Sequence, residues 1–185
     1  ITTLAPRLST AGVVRVDVIG NPMGDSVELL IAIFLKTERI RTMFGIEEGT
    51  VNLDLSKRNM DPSNVRLLAV ELNSNRATAG VERVDLSGNP VSGATWNQKL
   101  NDYEGGWENG DSNLDGITAL SKALPPSQIK ELIVSNCTLG PKSIAMVASS
   151  LATAGVEEVD ISKNPISGTV HSKCRGHSQD QVTYD

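Results

Sequence analysis

The phrase "TAGVERVDLSGNP", at residues 78–90, is the feature that most constrains this chain. Residues 153–165 read "TAGVEEVDISKNP" and residues 10–22 read "TAGVVRVDVIGNP", so one phrase is written three times. An active site is normally written once, whereas a structural unit that stacks on copies of itself leaves a recurring phrase. The chain is therefore predicted to consist of repeated units, each packed on its neighbours.

The centre of the phrase is a short apolar–polar–apolar pattern, which predicts a β-strand with alternate side chains on opposite faces. The pattern recurs in five units, at residues 16–18, 53–55, 84–86, 132–134 and 159–161. Between these strands, four stretches place their apolar residues on one helical face, at residues 26–36, 62–72, 115–124 and 141–151. Strand and helix are therefore predicted to alternate along the chain.

A polar residue occupies the matching position after each predicted strand. These positions hold Asn21, Arg58, Asn89, Cys137 and Asn164. The chain turns inward there, so a buried Asn or Cys side chain is expected to bond the backbone groups that the turn leaves unpaired. Arg58 departs from the pattern, and we expect a local irregularity with its guanidinium reaching solvent or a carbonyl.

This combination resembles the leucine-rich repeat, whose consensus is L-x-x-L-x-L-x-x-N/C-x-L. The alternating helices make the resemblance strongest to the ribonuclease-inhibitor-like class. It implies an α/β solenoid of about five repeats over residues 1–185, with parallel strands on a concave face and helices on a convex face. Neither end shows a polar capping unit, so the chain is expected to be a segment of a longer array.

The units are unequal, because those ending in "NP" alternate with units that lack the proline. Insertions are expected after the "NP" strands. One covers residues 94–113, and a similar one starts at residue 169 and runs to residue 185. A further insertion is expected near residues 39–49.

Composition excludes several classes of function. The 185-residue chain has a formal net charge of −5, which argues against nucleic acid as a partner. No apolar run approaches the roughly 20 residues of a membrane-spanning helix. Two cysteines form no disulfide framework and favour a cytosolic or nuclear compartment. No nucleophile, phosphate-loop or metalloprotease motif is present, so the chain is predicted to be non-enzymatic and to need no cofactor.

The segment "HSKCRGH" is a candidate metal site, because imidazole and thiolate are good ligands for zinc or copper. It spaces His171, Cys174 and His177 evenly, and Asp180 could supply a fourth ligand. The alternative is a solvated loop, since Lys173 and Arg175 disfavour a cation and structural zinc sites have firmer spacing. The sequence favours the loop.

The strand face is the first candidate for binding. Its middle column reads Asp17, Asp54, Asp85, Ile133 and Asp160. The preceding column reads Arg15, Asn52, Arg83, Glu131 and Glu158. Stacked carboxylates about 4.8 Å apart repel one another, which suggests a groove for a basic partner. The structural alternatives are that Arg15 and Arg83 neutralise the aspartates, or that "LDLS" is repeat consensus.

The insertion at residues 94–113 is the second candidate. It holds Trp96, Tyr103 and Trp107 among acidic residues, a composition that fits a binding hot spot. The alternative is that the rings fold back over the apolar edge around Val91 and Leu100. One ring can also be packed while another is presented.

The expected function is non-catalytic protein–protein recognition, through the strand face and the inserted loop, of a partner with a basic segment. Two rivals stay open. The chain could be a structural subunit of a larger assembly with an inert groove. The resemblance also implies a possible regulator of small GTPases, since some relatives in this class activate them.

Overall fold

The structure is a computed structural model that describes residues 12–99 and 106–167, together with two short strands at 169–170 and 182–183. These residues form an α/β fold with four helices and a parallel four-stranded sheet. The helices are α1 (Val27–Lys36), α2 (Pro62–Ser74), α3 (Asp115–Ala123) and α4 (Pro141–Leu151). The strands are β1 (Asn52–Asp54), β2 (Arg83–Asp85), β3 (Thr95–Asn97), β4 (Gly106–Glu108), β5 (Glu131–Ile133), β6 (Glu158–Asp160), β7 (Thr169–Val170) and β8 (Val182–Thr183).

The parallel sheet has the order β1-β2-β5-β6, and each crossover between neighbouring strands carries one helix. Its register aligns Leu53 with Val84, Leu132 and Val159. Four of the five predicted strands therefore pair in the predicted register, although each begins one residue earlier than the apolar pattern. All four predicted helices are present, and their bounds differ by at most two residues at either end.

One aliphatic core lies between the sheet and the helices. The central strands contribute Val84 and Leu132, and α3 contributes Ile117 and Leu120, all with no exposed surface. Truncating such a residue to alanine typically costs about 2–5 kcal/mol of unfolding free energy. The core is continuous through successive units, as expected for units that cannot bury an apolar face alone.

The first unit departs from this arrangement. Residues 15 and 17 form isolated bridges with Thr42 and Phe44, and Val16 N–H donates to the Thr42 carbonyl at 3.0 Å. The region predicted as an insertion, residues 39–49, therefore lies beside the first unit. Asp17 consequently faces Phe44, and no strand pair joins it to β1 among the described residues.

Two kinds of turn follow the strands. All five units place one residue at positive φ: Gly20, Lys57, Gly88, Asn136 and Lys163. The units without proline place a second residue, Asn59 or Thr138, at positive φ as well. Proline at the same position of the other units excludes that conformation, because its ring holds φ near −65°. The alternation of "NP" units thus corresponds to an alternation of turn geometry.

The polar residue after the strand joins neighbouring units, as its position predicts. Asn89 is 1% exposed; its Oδ1 accepts from Arg58 N at 2.9 Å and Met60 N at 3.0 Å. Its Nδ2 donates to the Leu55 and Leu86 carbonyls at 2.8 and 2.7 Å. One buried amide therefore satisfies four backbone groups across two units.

Asn164 repeats these contacts one pair of units later, with Oδ1 accepting from Cys137 N at 2.8 Å and Leu139 N at 3.0 Å. Cys137 is fully buried, and its thiol donates to the Leu86 carbonyl at 3.0 Å. Arg58 is exposed at the corresponding position, as expected for the one residue that breaks the pattern.

Candidate functional site

The sheet register brings the predicted strand-face columns together. Asp54, Asp85, Ile133 and Asp160 are successive register partners, and so are Asn52, Arg83, Glu131 and Glu158. Asp54, Glu158 and Asp160 are exposed, whereas the residues of β2 and β5 in these columns are half-buried. Four strands therefore carry two adjacent columns of mostly charged side chains.

Each aspartate of the middle column has a local structural role. Its Oδ1 accepts the backbone N–H two residues further on, at 2.9 Å in every case. The pairs are Asp17 with Ile19, Asp54 with Ser56, Asp85 with Ser87 and Asp160 with Ser162. This contact pins the start of the turn, so the repeated aspartate is explained in part as repeat consensus.

These hydrogen bonds also favour the charged carboxylate. The pKa of Asp54 is lowered by bonds from the side chain and backbone of Ser56, and Arg83 adds to the effect. The pKa of Asp160 is lowered by bonds from the backbone and side chain of Ser162. Both ends of the column are therefore ionised at neutral pH.

Arg83 partly neutralises the centre of the face, because it pairs with two carboxylates. Its Nε lies 3.0 Å from Glu131 Oε2, and its Nη2 lies 3.3 Å from Asp85 Oδ2. The hydrogen bond to Glu131 is the main reason that the pKa of Arg83 is raised. Arg15 behaves differently, because it pairs with Glu47 at 3.3 Å rather than with Asp17. The neutralisation considered for both arginines therefore occurs only at Arg83.

The two ends of the face keep their charge. Asp54 on β1, and Glu158 and Asp160 on β6, form no ion pair within the described part of the chain. Three strand spacings separate these ends, about 14 Å. The strand face thus has a partly neutralised, partly apolar centre around Ile133, where Arg83 faces two carboxylates, and acidic flanks without ion pairs.

The insertion at residues 94–113 contains an antiparallel pair of strands, β3 with β4. Trp96 and Trp107 face each other across it, with ring centroids 5.4 Å apart and ring planes at 79°. Such an edge-to-face pair adds about 0.5–1.5 kcal/mol beyond the area it buries. Trp96 remains 52% exposed, whereas Trp107 is half-buried. Tyr103, Asp102 and Glu104 lie outside the described residues.

Two of the insertion's acidic residues are already engaged. Glu108 accepts from Asn97 Nδ2 at 2.9 Å. Asp111 accepts from the N–H groups of Gly140 at 3.0 Å, Lys142 at 2.8 Å and Ser143 at 3.3 Å, and from the Ser143 hydroxyl. Asp111 therefore caps the N-terminus of α4 from the preceding unit, and its charge also favours that helix end.

The base of the insertion is fixed to the next unit. Ser92 is fully buried, and its hydroxyl donates to the Thr138 carbonyl at 2.7 Å. At the other end of the insertion, Asn113 N–H donates to the Ser92 carbonyl at 3.0 Å. Gly93 has φ +85°, and a Cβ there would lie 2.8 Å from the Asn113 Cβ, so only glycine fits this approach. The exposed Trp96 is therefore held on a firmly anchored base.

Sequence reasoning missed one buried ionisable residue, Glu71 on α2, which is 1% exposed. Its carboxylate accepts from the Thr42 hydroxyl at 2.9 Å and from Met43 N–H, and so holds the segment beside the first unit. Burial raises the pKa of Glu71 to about 7. The sequence contained one signal for Glu71: it is a charged residue on the apolar face of α2. The equivalent position of α4 holds the uncharged Ser150.

Arg76 supports the same segment. Its guanidinium lies 4.4 Å from the Phe34 ring centroid and donates to the carbonyls of Phe34, Thr37 and Ile40 at 2.6–3.2 Å. These carbonyls belong to the end of α1 and the turn after it, where a cation is favourable. Neither Arg76 nor Glu71 faces the strand-face columns.

The candidate metal ligands His171, Cys174, His177 and Asp180 lie outside the described residues. Within the described ranges, no group of three or more His, Cys, Asp or Glu side chains is arranged to hold a metal ion. Burial raises the pKa of the Cys137 thiol to about 12, so it has no thiolate character at neutral pH. None of the helices in this part of the chain has the length and apolarity needed to cross a membrane.

Comparison with known proteins identifies no family for this chain. No protein-family model matches the chain, and a search of curated proteins finds no match.

Proposed function

We propose that this chain is a leucine-rich repeat solenoid of the ribonuclease-inhibitor-like class that acts in non-catalytic protein–protein recognition. The observation that carries the proposal is the in-register strand face, with acidic flanks at Asp54 and Asp160 and a centre partly neutralised by Arg83. Parallel strands joined by helical crossovers, and amides that bond across units, support the repeat interpretation.

The partner's chemistry follows from the charge of the face. Its acidic flanks favour a segment with cationic side chains at both ends, separated by about 14 Å. Ile133, half-buried between Asp85 and Asp160, can pack against the aliphatic stem of a lysine or arginine. Trp96 adds an exposed aromatic anchor on the inserted strands.

Rigidity of the surface supports recognition rather than catalysis. The aspartates are fixed by bonds to their own turns, and Arg83 is held between two carboxylates. A surface that is already ordered loses little conformational entropy when a partner binds.

The test is capture of partners on the immobilised chain, compared with the double variant Asp54→Asn, Asp160→Asn. Asparagine keeps an oxygen that can accept the Ser56 and Ser162 N–H groups, so the variant removes charge without removing the turn contact. The matched control is Asp25→Asn, Glu38→Gln, which removes the same charge from exposed positions elsewhere.

Proteins with basic segments should bind the wild type and the control but not the strand-face variant, and Trp96→Ala should weaken the same partners. Equal capture by both double variants would reject the strand face as the binding surface.

A further inference from the structure

Trp96 presents a ring face to solvent from a fixed position. Its side chain is 52% exposed, whereas Phe34 and Phe44 are buried in the core. The edge-to-face contact with Trp107 sets the orientation of the Trp96 ring, and the bond from the Ser92 hydroxyl anchors the base of the hairpin. A large aromatic surface that is already ordered loses little conformational entropy when a partner binds it.

The indole nitrogen of Trp96 is already engaged within the hairpin. Its Nε1–H donates to Gln98 Oε1 at 3.4 Å, and Gln98 lies on the same face because side chains alternate along a strand. The exposed part of the ring therefore offers its π face rather than a hydrogen-bond donor. Such a face is negative and attracts cations as well as apolar groups.

Other polar side chains of the two strands lie on the opposite face of the hairpin. The register pairs Trp96 with Trp107, so Asn97 and Glu108 point away from both rings. These two side chains also bond each other, with Asn97 Nδ2 donating to Glu108 Oε2 at 2.9 Å. A carbohydrate stacked on Trp96 would need nearby polar groups for its hydroxyls. The arrangement of the hairpin therefore argues against a carbohydrate ligand.

The charge of the insertion favours a cation over a purely apolar group. Residues 94–113 hold one basic residue, Lys99, and four acidic residues, Asp102, Glu104, Glu108 and Asp111. An acidic segment attracts a cationic side chain. Among biological cations, the planar and weakly hydrated guanidinium of arginine stacks on aromatic faces better than the strongly hydrated ammonium of lysine.

We propose that Trp96 stacks with an arginine side chain of the protein partner. This inference rests on the proposed function, because it assigns a residue type to the basic segment that contacts the acidic flanks of the strand face. The chain contains one contact of the same kind, since the Arg76 guanidinium lies 4.4 Å from the Phe34 ring centroid.

The test is isothermal titration calorimetry of the 185-residue chain with two probes, a hexa-arginine and a hexa-lysine peptide, at low ionic strength. The side chains of the two peptides carry the same charge, so the acidic flanks attract both. Trp96→Leu keeps apolar bulk but removes the π face, and it should weaken hexa-arginine binding about threefold and hexa-lysine binding less. Trp96→Phe should lose less hexa-arginine affinity than Trp96→Leu, because phenylalanine keeps an aromatic face against Trp107.

Leu35→Ala is the matched control, because it removes another exposed apolar side chain and should leave both affinities unchanged. The double variant Asp54→Asn, Asp160→Asn separates the two proposals. It should weaken binding of both peptides while Trp96 still favours hexa-arginine. Unchanged affinities in the double variant would count against the strand face and not against the assignment of Trp96.

Equal affinities of wild type for the two peptides overturn the arginine assignment. A preference for hexa-arginine that Trp96→Leu leaves unchanged overturns it as well. So does an equal loss in Trp96→Phe and Trp96→Leu, since only the first of these variants keeps a π face.

Discussion

Helices α2 and α4 begin at equivalent places in their units, yet they are capped in different ways. Asp61 precedes α2 and accepts from Asn64 N–H at 2.9 Å. Gly140 precedes α4 with nearly the same backbone, φ −85° and ψ −173° against −89° and 175°, but has no side chain to offer. Asp111 supplies the cap from the inserted loop instead. One helix is thus stabilised locally, and the other depends on its neighbour.

The far ends of the same helices differ in a related way. Glu71 on α2 reaches out of its unit to residues 42 and 43, whereas Ser150 on α4 bonds the Val147 carbonyl of its own helix at 2.7 Å. The two helices therefore contact remote segments at opposite ends: α4 at its N-terminus through Asp111, and α2 near its C-terminus through Glu71. Equivalent helices can therefore take their hydrogen-bond partners from different segments, because each bond requires only a donor and an acceptor within reach.

The largest effect should come from the pH dependence of Glu71. Its pKa in the folded chain, about 7, lies above its value when unfolded, so its stabilising contribution is complete below about pH 4.5 and is lost as pH rises through 7. The difference is on the order of 3 kcal/mol. Urea unfolding from pH 5 to pH 9 should show stability falling with pH in wild type and a flatter profile in Glu71→Gln.

Ser150→Ala serves as the control for Glu71, since Ser150 has no charge to titrate and should leave the profile unchanged. Parallel profiles for wild type and Glu71→Gln would contradict the assignment of this pH dependence to Glu71.

The next largest effect should come from Asp111→Ala. It leaves the first N–H groups of α4 without their acceptor and should lower the free energy of unfolding by about 2 kcal/mol. Asp61→Ala should cost less, about 1 kcal/mol, because Asp61 accepts from one N–H group. Asp25→Ala is the matched control, since Asp25 occupies the same "GDS" sequence in the first unit but its carboxylate accepts no hydrogen bond from the described residues. If Asp25→Ala lowered the free energy of unfolding as much as Asp111→Ala, the cap that Asp111 places on α4 would be unimportant.

The smallest effect, and the sharpest, concerns Gly140→Asp. In wild type the new Cβ would lie 2.5 Å from Asp111 Oδ2, so the substitution should destabilise the chain. In the Asp111→Ala background the crowding is gone and the new carboxylate can cap α4 as Asp61 caps α2. There it should restore about 1 kcal/mol. If Gly140→Asp changed the free energy of unfolding in the same direction in both backgrounds, positions 140 and 111 would not be coupled.

Much of the fold could be predicted from the sequence because the signals are local. The apolar–polar–apolar strands, the helical faces and the buried Asn89 all follow from residues within one unit. The candidate columns could be predicted as well, since a strand fixes which side chains share a face. The pairing partners of Arg83 and Arg15 could not be predicted, because each depends on which carboxylate of a neighbouring segment lies nearer.

The amino-acid sequence by itself determined the repeat, the alternation of turns with and without proline, and the parallel register, because each rests on φ restrictions and side-chain periodicity that act over a few residues. Only the tertiary structure decided that residues 42–44 lie beside the first unit, that Asp111 caps a helix some 30 residues away and that Glu71 is buried. These contacts depend on distances between segments that are remote in sequence. A hydrogen bond or a charge pair takes effect only when folding brings both of its partners within reach.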